Sequence, residues 1–487
     1  MTAPVSELLE ISQIAQRQMK LPAPGAEIGG VKTDPRHGHW GGAALLFENV
    51  TGYDMPVLIN AFGSYGRMCA ALGCADLEQL AERIGQLVKP DMPHTLGQKL
   101  HLAGKLLELS RLGPKLVKAG PCQEIVRTDA ADLLALPVLQ CWPQDGKDHP
   151  SGAVAARYIT LGATICRHPD THVQNAGMYR VQLFGPRTAG MHLHPTHDGY
   201  AIWQAHRRIG KDMPAAIVLG GPPAFIYAST APCPPGLDEM MLSALLADEP
   251  VEVVRCTTND LLVPATAEIV IEGYVSATQT SMEGPFGDHT GFYSPAEEFP
   301  VFHVTAIASR KDAIFPATVV GAPPMEDYYF GKATERIFLP LLKMIVPEIV
   351  DYDLPLAGAF HNFAFVSMAK QYPDQARKVM HGIWGAGQLA ACKFVVVVDA
   401  DVNVHDIDAV LFALGSHVDP SRDLESASGV ADILDHAAVR RGFGGKLGID
   451  ATRKIEGEPL TRPYPQPLTM PQEIIDLVER RWREYGL

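Results

Sequence analysis

The sequence predicts a mixed α/β (α+β) protein of about three domains, on three observations. The chain has 487 residues, and ~150 residues per domain is the usual scale. Hydrophobic residues make up 47% and charged residues 20%, which supplies a large core and excludes a disordered chain. The texture also changes twice along the chain: a helical start, then short β-branched runs broken by Gly and Pro, then helices alternating with strands.

Residues 1–20 carry Val5, Leu8, Leu9, Ile11, Ile14 and Ala15 at helical spacing, and Gly, Pro and His then break the pattern into a long loop at 22–43. Residues 79–118 hold two amphipathic helical patterns around Pro90 and Pro93, the second at 98–118. Between about 120 and 320, strands are expected in ARYITLGATIC, MYRVQLFG, AAIVLGG, AFIYAS, VEVVRC, AEIVIEGYV, FHVTAI and IFPATVV, with helices near 198–210 and 237–247. That texture argues for a mixed or antiparallel sheet, or a barrel. Beyond it the pattern reads helix 332–347, strand 362–369, helix 372–390, strand 393–399 and helix 404–415. A Pro-rich stretch then feeds a last amphipathic helix suited to subunit contacts.

Lys+Arg 41 against Asp+Glu 55 gives a formal net charge of -14, with no basic stripe, so no nucleic-acid partner is expected. The eight cysteines are scattered without a CxxC pair, as for reduced thiols. The N-terminus lacks a basic flank followed by an apolar run, and no stretch approaches the ~18 apolar residues of a membrane span. A soluble cytoplasmic protein is expected.

Chemistry concentrates in four places. Asn175 to Arg180 (NAGMYR) precedes His192, His194 and His197, a cluster that reads either as a metal site or as one ligand among structural imidazoles. EGPFGDH reads either as a surface loop with solvated acids or as a Gly- and Pro-rich turn that folds Glu283 and Asp288 towards one place. Two adjacent carboxylates push one pKa up and keep an acid protonated, and an Arg between them would order both. Ser229, Thr230 and Pro232, with Glu239 at a helix start, offer hydroxyls and backbone groups for a phosphate or a cation. Lys393 stands before an apolar strand, where it reaches a phosphate or guards a sheet edge. Dinucleotide, Walker, GxSxG and kinase motifs are absent.

Taken in order, LLFENVTGYDMPVL, GPCQEIV, LPVLQCWPQD, NAGMYR, NDLLVPATAEIVIEGYV, EGPFGDHTGFYS and QARKVMHGIWG resemble the UbiD family of decarboxylases over about residues 44–460. The resemblance implies a central split β-barrel flavin-binding domain (119–322), an N-terminal α/β module (1–118) and a C-terminal α/β domain (323–487) that mediates dimers or hexamers. It implies prenylated FMN as cofactor, made by a separate flavin prenyltransferase. It also implies Mn2+ or another divalent metal on Asn175, His197 and Glu239, leaving His192 and His194 outside the ligand set. K+ is implied at the backbone of Ala228–Pro232, and Met178, Tyr179, Arg180, Ser229, Thr230 and Lys393 beside the cofactor. The implied catalytic network is Glu283, Arg180 and Asp288, with Arg180 binding the carboxylate and Asp288 delivering the proton. His289, Glu326 and Phe330 are the expected pocket lining. The N-terminal module looks shortened against the family, its LEISQIAQR-like segment starting at residue 8.

The expected reaction is reversible non-oxidative decarboxylation of an aromatic, heteroaromatic or α,β-unsaturated carboxylic acid. The alternatives are a metal-dependent hydrolase on His192, His194 and His197, and a non-catalytic subunit of a carboxylase complex. Nothing in the sequence selects the acid.

Overall fold

The computed structural model describes residues 5, 7–21, 41–88, 112–233, 238–460, 462–466 and 468–486. The expected loop at 22–43, apart from its last residues, and the second helical pattern up to residue 111 lie outside them. Helix Leu8–Met19 buries Ile11, Ala15 and Met19, one face at a spacing of four. It packs by strands Leu45–Phe47 and Val57–Ile59, which pair antiparallel.

The central sheet is antiparallel throughout. Its strands run Tyr158–Ile159, Val181–Leu183, Thr188–Met191, Glu297–Ser309, Ile269–Glu283, Met213–Leu219, Gly162–Arg167 and Gln174–Met178, with Ile125–Arg127 added against Glu297–Ser309. Five strands separate Val181–Leu183 from Gln174–Met178 in that order. Laid flat, the two would stand about 29 Å apart at the usual strand spacing. Yet only Tyr179 and Arg180 join them, and a link of that length spans at most about 11 Å. The sheet must therefore curl into a split barrel, and Arg180 sits at its seam. Alternation along Met213–Leu219 sends Met213, Ala215, Ile217 and Leu219 into one core cluster and Ala216 and Val218 into another, so both faces are buried.

The C-terminal layer is a five-stranded mixed sheet in the order Ile349–Asp353, Phe363–Met368, Phe394–Asp399, Phe443–Asp450, Leu424–Val430. The long helix Glu326–Ile345 leads into it, and helices Gln375–Trp384 and Ile407–His417 accompany it. Ala364, Val366, Val395 and Val397 face one cluster, and Phe365, Val396 and Val398 the other.

Three expectations are corrected. AFIYAS is helix Pro223–Ala228, not a strand. Pro222 and Pro223 preset a helical start, and a run buried on every side carries no period that separates strand from helix. The last residues of the helical pattern at 98–118 are a strand, since Lys115–Leu116 pairs parallel with Glu252–Val253 just after Pro114, a residue that disfavours helical backbone before it. IFPATVV leaves the central sheet, because Phe315–Ala317 runs parallel to Val57–Ile59 and ties the N-terminal module to the barrel. All eight cysteines are free thiols. Among the described residues no helix is long and apolar enough to cross a membrane.

Candidate active site

Arg180 is the hub. Its Nε and Nη2 donate to Glu283 Oε1 and Oε2 at 2.8 and 3.0 Å, and its Nη1 donates to Asp288 Oδ2 at 2.7 Å. Nη2 also reaches Ser294 Oγ at 3.1 Å, and the guanidinium lies 4.7 Å from the Phe286 ring centroid. Each nitrogen of the guanidinium has a partner, which fixes a group that would otherwise carry large rotamer entropy.

The turn that brings the two carboxylates together is built by close packing. Gly284 has φ +99, which a side chain rarely adopts, and a Cβ on Gly287 would stand 2.2 Å from the Trp142 ring. Asp145 pins this turn to the preceding loop: Oδ1 accepts from Gly287 N at 2.9 Å, and Oδ2 from Trp142 N at 2.7 Å and Cys141 N at 3.1 Å. Gln182 Oε1 accepts from Gly284 N at 3.0 Å.

The charge state differs from the expectation that one carboxyl is kept protonated. Burial pushes Glu283 up, but Arg180 and His192 outweigh it and hold the group at about 2. Burial is likewise outweighed at Asp288, which His289 and Arg180 hold well below the carboxylate range. The guanidinium between the acids screens their repulsion, so both rest as carboxylates.

His192 Nδ1 lies 2.8 Å from Glu283 Oε2, and burial, then Arg180, keeps its imidazole neutral. Glu283 is thus gripped from two sides. Sequence reasoning gave His192 a place only in the hydrolase alternative, never beside Glu283, and gave Asp145 no role. His192 could have been found from its strand, since Val181–Leu183 and Thr188–Met191 form a hairpin that returns the chain beside Arg180.

Asn175 and Glu239 meet at the barrel edge, and His197 stands at the start of helix Asp198–Arg208. Asn175 Nδ2 donates to Glu239 Oε1 at 3.1 Å and Ala176 N to Oε2 at 2.8 Å, while buried Asn175 Oδ1 has no hydrogen-bond partner. Burial lifts Glu239 to about 7 and lowers His197, which caps helix Asp198–Arg208 and stands 6.0 Å from the Tyr179 ring between centroids. An orphan carbonyl oxygen, a carboxylate penalised for its charge and a neutral imidazole make a donor set that fits a divalent cation. His194 also borders this region, 4.9 Å from His197 between ring centroids, with Nδ1 2.7 Å from Thr196 Oγ1. The nitrogens of His192, His194 and His197 are not among the groups gathered within 4.8 Å of one another in the described residues. A three-imidazole ion site, as the hydrolase alternative requires, is therefore disfavoured.

Ser229 and Thr230 close the C-terminal end of helix Pro223–Ala228. Their hydroxyls donate to Ile226 O at 2.8 Å and Tyr227 O at 2.7 Å, and Ser229 O accepts from Met178 N at 2.9 Å. The carbonyl end of a helix favours a cation over a phosphate. Pro232 follows in the same loop. Lys393 Nζ donates to Asp435 Oδ1 at 3.0 Å, next to Leu434 on the cavity wall.

The cavity, ≈ 220 Å³, is bordered by Thr160, Met178, Tyr179, Arg180, His192, His194, His197, Phe286, Asp288, Val320 and Leu434. A larger hollow of ≈ 520 Å³ along Lys454–Tyr464 holds none of the candidate residues. His289, Glu326 and Phe330 do not border the cavity. His289 turns to Asp288, Glu326 Oε1 accepts from Phe62 N at 2.6 Å, and Phe330 packs 5.0 Å from the Phe62 ring between centroids. Helix Glu326–Ile345 points its first turns at the N-terminal module, which carries the latter two side chains away.

Three domain models of one family match the chain. They are the N-terminal, Rift-related and C-terminal domains of 3-octaprenyl-4-hydroxybenzoate carboxy-lyase, over residues 1–86, 115–323 and 328–451. An uncharacterized protein of Aquifex aeolicus is 43% identical over 99% of this chain and 94% of that protein. The UbiD-class enzyme HmfF from Pelotomaculum thermopropionicum in complex with FMN is 26% identical, with TM-score 0.77 over 98% of this chain and 96% of that one. An evolved dimeric form of HmfF in complex with prFMN is 26% identical, with TM-score 0.73 over 95% and 93%.

Proposed function

The chain belongs to the UbiD family of carboxy-lyases, and from that premise we propose that it decarboxylates an aromatic, heteroaromatic or α,β-unsaturated acid, reversibly and without net oxidation, on prenylated FMN. The observation that carries this reading is the guanidinium of Arg180, clamped by Glu283 and shared with Asp288 on the wall of the cavity. All three members of the network are present, which argues against a non-catalytic subunit.

Prenylated FMN, when bound, supplies an electron sink for the pair left by departing carbon dioxide. Asn175, His197 and Glu239 would hold Mn2+ or a similar ion for its phosphate, and the backbone around Ser229 and Thr230 a K+ ion, with Met178, Tyr179 and Lys393 alongside.

The chain's own groups bind and protonate. Arg180 offers a bidentate face to the substrate carboxylate once that carboxylate competes with Asp288 for it. Losing part of its hold on Arg180, and gaining an anionic neighbour, Asp288 rises in proton affinity. It then delivers a proton to carbon. Glu283 keeps Arg180 oriented throughout, and burial of the network excludes bulk water.

The last helix, Gln472–Arg481, buries none of its residues and leaves Ile474, Ile475 and Leu477 exposed. This supports a second copy of the chain as partner, in a homodimer or homohexamer.

The test is protein made with and without a co-expressed flavin prenyltransferase, assayed by product chromatography on hydroxybenzoic, naphthoic, heteroaromatic and cinnamic-type acids. Turnover of at least one acid, only with the prenyltransferase, is expected. Equal turnover without it overturns the cofactor assignment.

A further inference from the structure

A second set of titratable groups starts at Asp288 and leaves the barrel. Asp288 Oδ1 accepts from His289 N at 2.8 Å and faces His289 Nδ1 at 3.0 Å. The other ring nitrogen, Nε2, lies 2.5 Å from Nε2 of His361, whose Nδ1 is 3.9 Å from Asp432 Oδ2. His289 follows the Glu283–Asp288 turn, whereas His361 lies two residues before strand Phe363–Met368 and Asp432 two residues after strand Leu424–Val430 of the C-terminal layer. The contact therefore joins the barrel to that layer.

His289, His361 and Asp432 each offer a ligand atom within 4.8 Å of the others, yet one metal shared by both imidazoles does not account for so close a contact. Two imidazoles on one tetrahedral zinc, each at ~2.0–2.1 Å, keep their nitrogens about 3.3 Å apart. At 2.5 Å the pair is inside that limit.

Asp288 stands at the outer end of His289, so Nδ1 of that ring carries hydrogen, whereas Asp432 Oδ2, at 3.9 Å, leaves His361 Nδ1 without a hydrogen bond. Between the rings, two bare nitrogens would set lone pair against lone pair, and two N–H groups would collide. One proton lies between them. With that proton on His289, its ring is an imidazolium held between the Asp288 carboxylate and the bare Nε2 of a neutral His361.

The geometry points to His289 and His361 as a proton store for Asp288, assembled only while the C-terminal layer is docked on the barrel. It rests on the proposed role of Asp288 as proton donor. Replacing a carboxylate by hydrogen takes up one proton per turnover. His289 passes its Nδ1 proton to Asp288 Oδ1, Asp288 passes it to carbon, and the pair, left neutral, regains one proton from water after product has gone. His361 is a positioning residue: it accepts from His289 Nε2 and stabilises the charge.

The surroundings agree. Burial disfavours charge on both rings, yet Asp288 lifts His289 to about 9, whereas burial and the His289 charge take His361 to about 4. Asp327 and Asp432 also face His289, and Asp432, Lys393 and Asp288 face His361. This explains how Asp288, itself held ionised, has a proton within reach.

The experiment uses the full holoenzyme labelled with [15N]histidine, without substrate. The imidazole shifts of His289 and His361 are expected to move together as one proton binds the pair. His361→Phe should lower the His289 midpoint by about one pH unit, and His361→Gln, whose amide oxygen can accept from Nε2, should restore part of it. On the acid identified by the panel, His361→Phe should lower kcat tenfold or more with KM unchanged, with partial recovery in His361→Gln. Independent titration of the two rings, or native kcat in His361→Phe, overturns the store. Asp288→Asn separates the two claims: native turnover in that variant removes the donor role of Asp288, whereas its loss beside an unaffected His361→Phe removes the store alone.

Discussion

Glu283 Oε2 sits 2.8 Å from His192 Nδ1 and 3.0 Å from Arg180 Nη2. One carboxylate oxygen thus orients the Arg proposed to meet the substrate and is itself oriented by a buried imidazole, whose ring lies tilted 4.1 Å from Phe299 between centroids.

Removing that imidazole should loosen the clamp without touching the metal. A hydrogen bond to a charged group is worth ~1.5–3 kcal/mol, equivalent to about 10- to 150-fold in rate. His192→Ala is expected to lose kcat in that range while metal analysis and the flavin spectrum stay native. Loss of metal in His192→Ala would instead place His192 among the ligands.

His197→Ala and Glu239→Ala should each lower metal and flavin occupancy together, and His194→Ala should leave both intact. The reason is the orphan Oδ1 of Asn175 beside the Glu239 carboxylate, a pair whose burial is costly without a cation. Elemental analysis of purified protein checks this, and full metal content in Glu239→Ala contradicts it.

Two variants should show opposite pH signatures in thermal unfolding. His289 is lifted to about 9, so the stability its charge contributes is fully present below the unfolded value of ~6.5 and lost as pH rises through 9. The difference in Tm between native protein and His289→Gln should therefore shrink across that window. Glu283 is held at about 2, so its contribution is present above the unfolded ~4.3 and lost as pH falls towards 2. The difference for Glu283→Gln should shrink on the acid side. Differences independent of pH in both variants would contradict the ion pairs.

What the sequence displayed, and what it hid, follows from the range over which each feature is encoded. Strands such as Phe394–Asp399 and helices such as Asp198–Arg208 show because a local run or period defines them. The convergence of Glu283 and Asp288 shows for the same reason, being written in one Gly- and Pro-rich turn. The partners of His192 and His289 were hidden, because Glu283 and His361 arrive from 91 and 72 residues away. The protonation state was hidden too, since it depends on where Arg180 falls between two acids. The pocket positions of Glu326 and Phe330 were misplaced because the direction of a helix axis is a property of its packing, not of its sequence.

The most direct measurement is Asp288→Asn, which keeps the shape and removes the transferable proton. With native flavin and metal content, it should still bind the acid yet lose ~10²–10⁴-fold in turnover, the usual worth of positioned acid catalysis. Product incubated in heavy water should exchange deuterium at the carbon that bore the carboxylate with native enzyme and not with Asp288→Asn, while Asp288→Glu should retain part of both activities. Full exchange by Asp288→Asn, or a loss in turnover below tenfold, would show that the proton comes from another group.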